Sequence, residues 1–272
     1  MASSLAAKRA RFRELHRAGC FALPNPFDVG TAMALQSLGF SALASTSAGM
    51  AWSLGRSDRA TPLEDALDHL HALAAAVEIP LNADFEGGYA IGPEEVALNV
   101  VRAAETGISG LSIEDSTGDP ERPLFDFTLA VERIVAAHEA LAKVAPDLVL
   151  TARSEGFISG APDMTETLRR LKAYSEAGAD CLYAPGIGEK GQIGAVVREL
   201  SPKPVNVLTL GLSMAELADL GVRRVSVGGS LARVAWGGFL AAAKEIATTG
   251  VFTAFASGAP GRELNALFKD RI

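Results

Sequence analysis

Cysteine is scarce in this chain: Cys20 and Cys181 are the two in 272 residues, and each sits in an apolar run. So few thiols exclude a disulfide framework or a cysteine-ligated zinc site and leave two reduced core thiols, as expected of a cytoplasmic protein. Long apolar runs are missing too, and no window approaches the ~18 residues of a membrane span. Lys8, Arg9, Arg11 and Arg13 make the start basic, but no apolar stretch follows, so no secretory signal is expected there. Positive charge is in deficit, with 25 Lys and Arg against 32 Asp and Glu and a net charge of −7. Neither nucleic acid nor an anionic membrane is an expected partner for that balance. The four histidines, His16, His69, His71 and His138, all fall in helical stretches, away from expected strand ends. A histidine base or histidine-ligated zinc is therefore not expected. The turn after the first expected strand, Asn25-Pro26-Phe27-Asp28, lacks the glycine fingerprint of a dinucleotide-binding sheet.

What the chain does have is alternation. Short β-rich runs are expected at Cys20–Leu23, Ser41–Ser45, Leu81–Asp84, Gly110–Glu114, Val149–Arg153, Cys181–Ala184, Val205–Leu208 and Arg224–Val227. Between them apolar residues recur at helical spacing, as from Leu63 to Val77, Pro93 to Glu105, Phe127 to Ala145 and Met164 to Ala177. Thr106-Gly107, Ala177-Gly178 and Leu220-Gly221 place glycine where a helix C-cap needs it, and a strand follows each time. Eight strands with helical crossovers predict one α/β domain, a (β/α)8 TIM-type barrel over about residues 18–248. Val234–Thr248 reads as a helix, and Thr253–Phe268 as a weaker helical stretch within a C-terminal extension over 249–272, available for subunit contact.

A barrel builds its site at the C-terminal ends of its strands. There lie Asp84, Glu86, Glu114 and Arg153. Residues two apart on a strand point the same way, so Asp84 and Glu86 are expected to converge. Three carboxylates together repel unless a cation such as Mg²⁺ neutralises them, with helix caps or solvated loop charge as the plainer alternative. Arg153 ends an apolar strand. Its planar fork suits a substrate carboxylate or, equally, a salt bridge to Glu114 or Glu155. The turn Thr46-Ser47-Ala48-Gly49 offers hydroxyls and backbone N–H groups to an anionic oxygen. Asn206 lies in the seventh strand, and Gly228-Gly229-Ser230 suits either a phosphate or close helix packing.

At these residues the chain resembles the phosphoenolpyruvate mutase/isocitrate lyase superfamily, from about Leu23 to Trp236. The matching segments are Asn25-Pro26-Phe27-Asp28, Ser45-Thr46-Ser47-Ala48-Gly49 with Leu54-Gly55 and Asp58, and Ala83-Asp84-Phe85-Glu86-Gly87-Gly88-Tyr89. Ser112-Ile113-Glu114-Asp115 and Thr151-Ala152-Arg153-Ser154-Glu155 complete the set. The resemblance implies Mg²⁺, or Mn²⁺ in its place, held by Asp84, Glu86 and Glu114, with Asp58 acting through water or directly. It implies a 2-oxo acid whose anionic end rests on Thr46, Ser47, Ala48 and Arg153, with Asn206 nearby. Asp58, Glu114 and Arg153 then become the catalytic candidates, and the C-terminal segment a swapped helix in a homo-oligomer, dimer or tetramer.

The departures bear on the reaction. Glu86 replaces an aspartate of the family's metal motif. The loop Ser116-Thr117-Gly118-Asp119-Pro120-Glu121-Arg122-Pro123-Leu124 has neither the cysteine nor the histidine of the isocitrate-type lyases, and no asparagine as in the phosphonomutases. After the sixth strand stands Ala184-Pro185-Gly186, without the mutases' histidine. The expected activity is therefore a Mg²⁺-dependent lyase or mutase breaking a C–C or C–P bond beside a small 2-oxo acid through a metal-stabilised enolate. Oxaloacetate decarboxylation or phosphonopyruvate hydrolysis asks least of the missing groups. The alternatives are a transferase of the ketopantoate-forming kind and a 2-oxo acid binder without activity.

Overall fold

The computed structural model describes residues 3–208 and 211–269. Eight strands form one all-parallel sheet: β1 (Phe21–Leu23), β2 (Leu43–Ala44), β3 (Leu81–Asp84), β4 (Gly110–Glu114), β5 (Val149–Arg153), β6 (Cys181–Tyr183), β7 (Val205–Leu208) and β8 (Arg224–Ser226). From β2 to β8 each pairs with its neighbour in sequence, and β8 returns to β1. The gap between β1 and β2 has no ladder. It is bridged by Ala44 N donating to Pro24 O at 3.1 Å and by the Asn25 amide donating to Ser45 O at 2.7 Å. The result is a nearly closed (β/α)8 barrel.

The helices are α1 (Leu5–Leu15), α2 (Val29–Ser37), α3 (Ser47–Ser53), α4 (Leu63–Ala76), α5 (Pro93–Glu105), α6 (Phe127–Val144), α7 (Met164–Glu176), α8 (Lys190–Leu200), α9 (Met214–Asp219), α10 (Ser230–Thr249) and α11 (Gly261–Phe268). The predicted spans agree to within one or two residues for α4 to α7. Gly107, Gly178 and Gly221 take the positive φ that ends a helix without a Cβ clash. The short α3, inside the Thr46–Gly49 turn and capped by Thr46, was not expected from periodicity because it makes only two turns.

Two features of the core place the site. Helix α1 closes the base of the barrel: Phe12 is fully buried and fills the space that Gly110 leaves, where a Cβ would sit 2.7 Å from its ring. At the other end α10 leaves the barrel instead of lying along it, and of its twenty residues only Ala232 is buried. Val234, Phe239 and Leu240 are exposed on it, as are Phe252 and Phe255 just beyond. The stretch expected from Thr253 to Phe268 is a 3-10 turn, Thr253–Ser257, followed by α11, which folds back on α2. No helix among the described residues is long and apolar enough to cross a membrane.

Candidate active site

Strand register sets the layers of the site. Glu114 lies beside Arg153, and Arg153 beside Tyr183, in the top layer of the barrel interior. Asp84 ends β3. Its Oδ1 accepts from Arg153 Nη1 at 2.7 Å, and its Oδ2 from Ser47 N and Ser47 Oγ, both at 3.0 Å. The strand-two turn is thereby tied to strand three. Ser45 Oγ accepts from Asp84 N at 2.9 Å and holds the two ends in line.

Arg153 serves three carboxylates: Asp84, Glu114 at 3.2 Å and Glu155 at 2.8 Å. Burial pulls its pKa down, but these neighbours outweigh burial and hold it well above the ordinary value. Of the two roles open to Arg153, the structure displays the ion pairs, and with more carboxylates than expected. Glu114 also accepts from Arg59 Nη1 at 2.7 Å. Burial pushes the Glu114 carboxyl up, against the pull of Arg153 and Arg59. Arg59, from the loop after Asp58, has a positive φ and carried no signal in the sequence.

Glu86 reaches the group by a different route from the one expected. The strand ends at Asp84, and Glu86 sits in the following turn at φ +45°, so strand alternation does not aim it. Such a backbone is strained for a side-chain-bearing residue and concentrates at functional sites. Arg133, itself buried, grips this turn through the carbonyls of Gly87 and Ala90. Glu86 Oε1 is buried without a well-formed hydrogen bond, and the Tyr89 hydroxyl, buried and unpartnered in the same way, is the donor beside this carboxyl. Burial, then the charges of Asp84 and Glu114, push the Glu86 pKa up to about 7. Asp58 stands exposed at the rim, where partial desolvation and then the Asp84 charge push it above the usual carboxylate range.

A cavity of about 270 Å³ opens against this group. Thr46, Ser47, Ala48, Asp58, Asp84 and Arg153 are on its wall, and its floor reaches Asn82 and Arg224 inside the barrel. Thr46 Oγ1 caps α3 through Gly49 N, which leaves the Ala48 backbone facing the space. Glu86 and Glu114 lie behind Asp84 and Arg153, off the cavity wall. Asn206 lies one layer below, donating to Ser226 Oγ and accepting from Arg224 Nε. The Gly228 N–H is taken by Asn25 Oδ1 at 2.9 Å, and Gly229 packs close to Trp52, so the packing role of that turn is visible.

Behind the cluster is a support unforeseen in the sequence. Asp115 accepts from Tyr174 Oη at 2.7 Å, Arg170 Nη1 at 3.1 Å and Glu155 N at 2.8 Å. Burial pushes Glu155 up to about 8, with Arg153 pulling against it. The pair Arg170 and Tyr174 is at (i, i+4) on α7, a spacing that also suits plain helix packing and therefore gave no warning.

Among the described residues no three His, Cys, Asp or Glu side chains lie together so that they could hold a metal ion between them. Mg²⁺ does not require three, since it takes one or two carboxylates and completes its shell with water and substrate oxygens. Glu86 Oε1, without a well-formed hydrogen bond beside Asp84 and Glu114, fits that kind of site.

Known proteins place the chain. The profile of the Phosphoenolpyruvate phosphomutase family matches residues 12–247. A candidate lyase/mutase from Burkholderia cenocepacia J2315 superposes with a TM-score of 0.94 and 46% identity over 98% of both chains. Oxaloacetate decarboxylase of Pseudomonas fluorescens is 29% identical over 231 residues, 79% of this chain and 76% of its own. The 2-methylisocitrate lyase of Escherichia coli is 30% identical over 166 residues, 58% and 55% of the two chains. With the barrel, the carboxylate layer and these likenesses together, the chain belongs to the phosphoenolpyruvate mutase/isocitrate lyase superfamily of lyases and mutases.

Proposed function

We propose that the protein is a Mg²⁺-dependent lyase that breaks the C–C bond beside the 2-oxo group of a small acid of the oxaloacetate type. Cleavage of a C–P bond in a phosphonopyruvate-like acid is the variant of the same reading. The observation that carries it is the buried Glu86 Oε1, without a well-formed hydrogen bond, set beside Asp84 and Glu114. Asp84 would hold the ion directly, with Glu86, Glu114 and Asp58 reaching it through water or directly. When bound, the ion supplies a Lewis acid for negative charge developing on the 2-oxo oxygen.

The chain's own groups do the rest. Ser47 fixes the Asp84 carboxylate through two hydrogen bonds, so that it meets the cavity in one orientation. Thr46, Ser47 and Ala48 line the wall where a substrate carboxylate rests. Arg153 balances the acid layer and presents its edge to the same anion. Asp58, at the rim and shifted upward, is placed to hold a proton over the cavity. The loop from Ser116 to Leu124 is closed by a bridge between those two residues, and Arg59 ties its start to Glu114.

A second reading is favoured by the ion pairs themselves: every acid of the top layer except Glu86 already has a basic or hydroxyl partner, as in a binder of 2-oxo acids without turnover. Oxaloacetate, phosphonopyruvate and 2-methylisocitrate, each assayed with Mg²⁺ and with EDTA, decide between them. Mg²⁺-dependent product is expected from the first. Equal rates in both conditions remove the metal, and Mg²⁺-dependent calorimetric binding without product selects the binder. The exposed apolar residues of α10 and the segment after it support a homo-oligomer, dimer or tetramer, and sedimentation of a monomer overturns that.

A further inference from the structure

Two arginines face the cavity, and their surroundings differ. Arg153 gives its donors to Asp84, Glu114 and Glu155. Arg224, at the start of β8 and 2% exposed, has no carboxylate partner among the described residues. Its Nε donates to Asn206 Oδ1 at 2.8 Å, and its Nη1 faces Asn82 Oδ1 and His16 Nε2, both at 3.4 Å. His16 Nδ1 lies 2.8 Å from the Phe12 carbonyl, which fixes its proton there and leaves Nε2 a bare acceptor. All three partners are neutral. A guanidinium cannot shed its charge under ordinary conditions, and enclosing it without a counter-charge is costly.

The amide of Asn206 is held with its oxygen toward Arg224 because its nitrogen donates to Ser226 Oγ at 2.9 Å. The site is therefore built, with the guanidinium oriented from below and its remaining edge toward the cavity. Asn82 and Asp84 are two residues apart on β3 and share a face, so the Arg224 layer lies about 7 Å beneath the Asp84 layer. A four-carbon chain spans that distance.

We propose that Arg224 is a second anion site, at the cavity floor, that takes the distal carboxylate of a short 2-oxo dicarboxylate whose 2-oxo end lies in the layer of Asp84 and Arg153. The site selects dicarboxylates over the corresponding monocarboxylates, and Asn206 is a positioning residue for it. This rests on reading the cavity as a 2-oxo acid site, but it is tested by binding and not by turnover.

Calorimetry on the full chain with Mg²⁺ compares malate with lactate, which lacks only the distal carboxylate. The wild type is expected to prefer malate by about 30-fold or more, and Arg224→Met to weaken malate on the order of 100-fold while lactate stays within about threefold, as for loss of one partner of a buried charge pair. Asn206→Asp supplies a counter-charge and is expected to erase the preference with Arg224 in place, which decides the matter if Arg224→Met does not fold. Equal wild-type affinities for the two acids overturn the proposal. So does an equal loss for both acids in Arg224→Met or an unchanged preference in Asn206→Asp. A protein that turns over no 2-oxo acid yet shows the Arg224-dependent preference loses the lyase reading and keeps this site.

Discussion

The top and the middle of this barrel solve the same electrostatic problem in opposite ways. At the mouth, Arg153 is surrounded by acids, and the acids other than Glu86 by bases or hydroxyls, so most of the layer is balanced internally. One layer down, Arg224 is surrounded by an amide, a second amide and a neutral imidazole. Strand register alone does not create this difference, since both arginines point inward, from β5 and β8 of one sheet. It arises from what stands two residues further along β3 and β4: Asp84 above Asn82, Glu114 above Ser112. Internal balance means that an ion or substrate bound at the mouth, as proposed, would exchange partners with the ion pairs already there. Its absence makes the middle layer depend on neutral dipoles.

The largest expected effect is at the mouth. Asp84→Ala removes the acid that links Ser47 to Arg153, and Mg²⁺-dependent turnover is expected to fall on the order of 10³-fold. Circular dichroism should show the fold retained, because a strand-end carboxylate adds little to the core. Next comes the support behind it. Asp115→Asn leaves Arg170 and Tyr174 without their shared carboxylate and is expected to cost about 3 kcal/mol in denaturant unfolding, the penalty of breaking a buried pair. A smaller cost would show that the mouth does not lean on that layer. Arg153→Lys keeps the charge and loses the fork, so KM for the 2-oxo acid should rise on the order of 10²-fold. Unchanged kinetics would confine Arg153 to its ion pairs.

The smallest effect sharpens the contrast from below. Burial first, and then the Arg224 charge, hold the His16 pKa down to about 3, while an unfolded histidine takes its proton near 6.5. Between these values the unfolded chain binds the extra proton, so stability is complete above about pH 6.5 and is lost as pH falls toward 3. The slope from this residue is at most about 1.4 kcal/mol per pH unit. His16→Gln is expected to flatten the pH dependence of the melting temperature in that window, and an unaltered slope would mean that other groups set it.

Much of the architecture was legible because it depends on pattern. Short β-rich runs between capped amphipathic segments located strands β3, β4, β5 and β7 to the residue, since packing on both faces leaves their composition little freedom. The parts that escaped depend on particular side chains across long sequence gaps. Glu86 comes near Asp84 and Glu114 by another geometry than the one expected: the turn at φ +45°, gripped by Arg133, carries it there instead of strand alternation. Arg59, Arg170 and Arg224 gave no local signal, because a buried arginine in sequence looks like any other charge, and Asp115, though part of the fourth-strand motif, gave no sign of its partners on α7. The path of α10 is a third kind of case. Its apolar pattern predicts a helix correctly, but the pattern does not say which surface will cover it.

The clamp at Asn25 has a consequence for the order in which the protein becomes functional. This one side chain donates to Ser45 and accepts from the N–H groups of Val227 and Gly228, 202 and 203 residues away in the chain. The wall formed by the strand-two turn, tied to β3 through Asp84, is thus not joined to the β8 side of the barrel until β8 has been synthesised and has found β1. A contact of such sequence separation forms late and slowly. A nascent chain stopped before residue 224 carries the full set of acids but no fixed frame for them. Ligand added during refolding is therefore expected to act only on the last step, slowing unfolding more than it speeds folding.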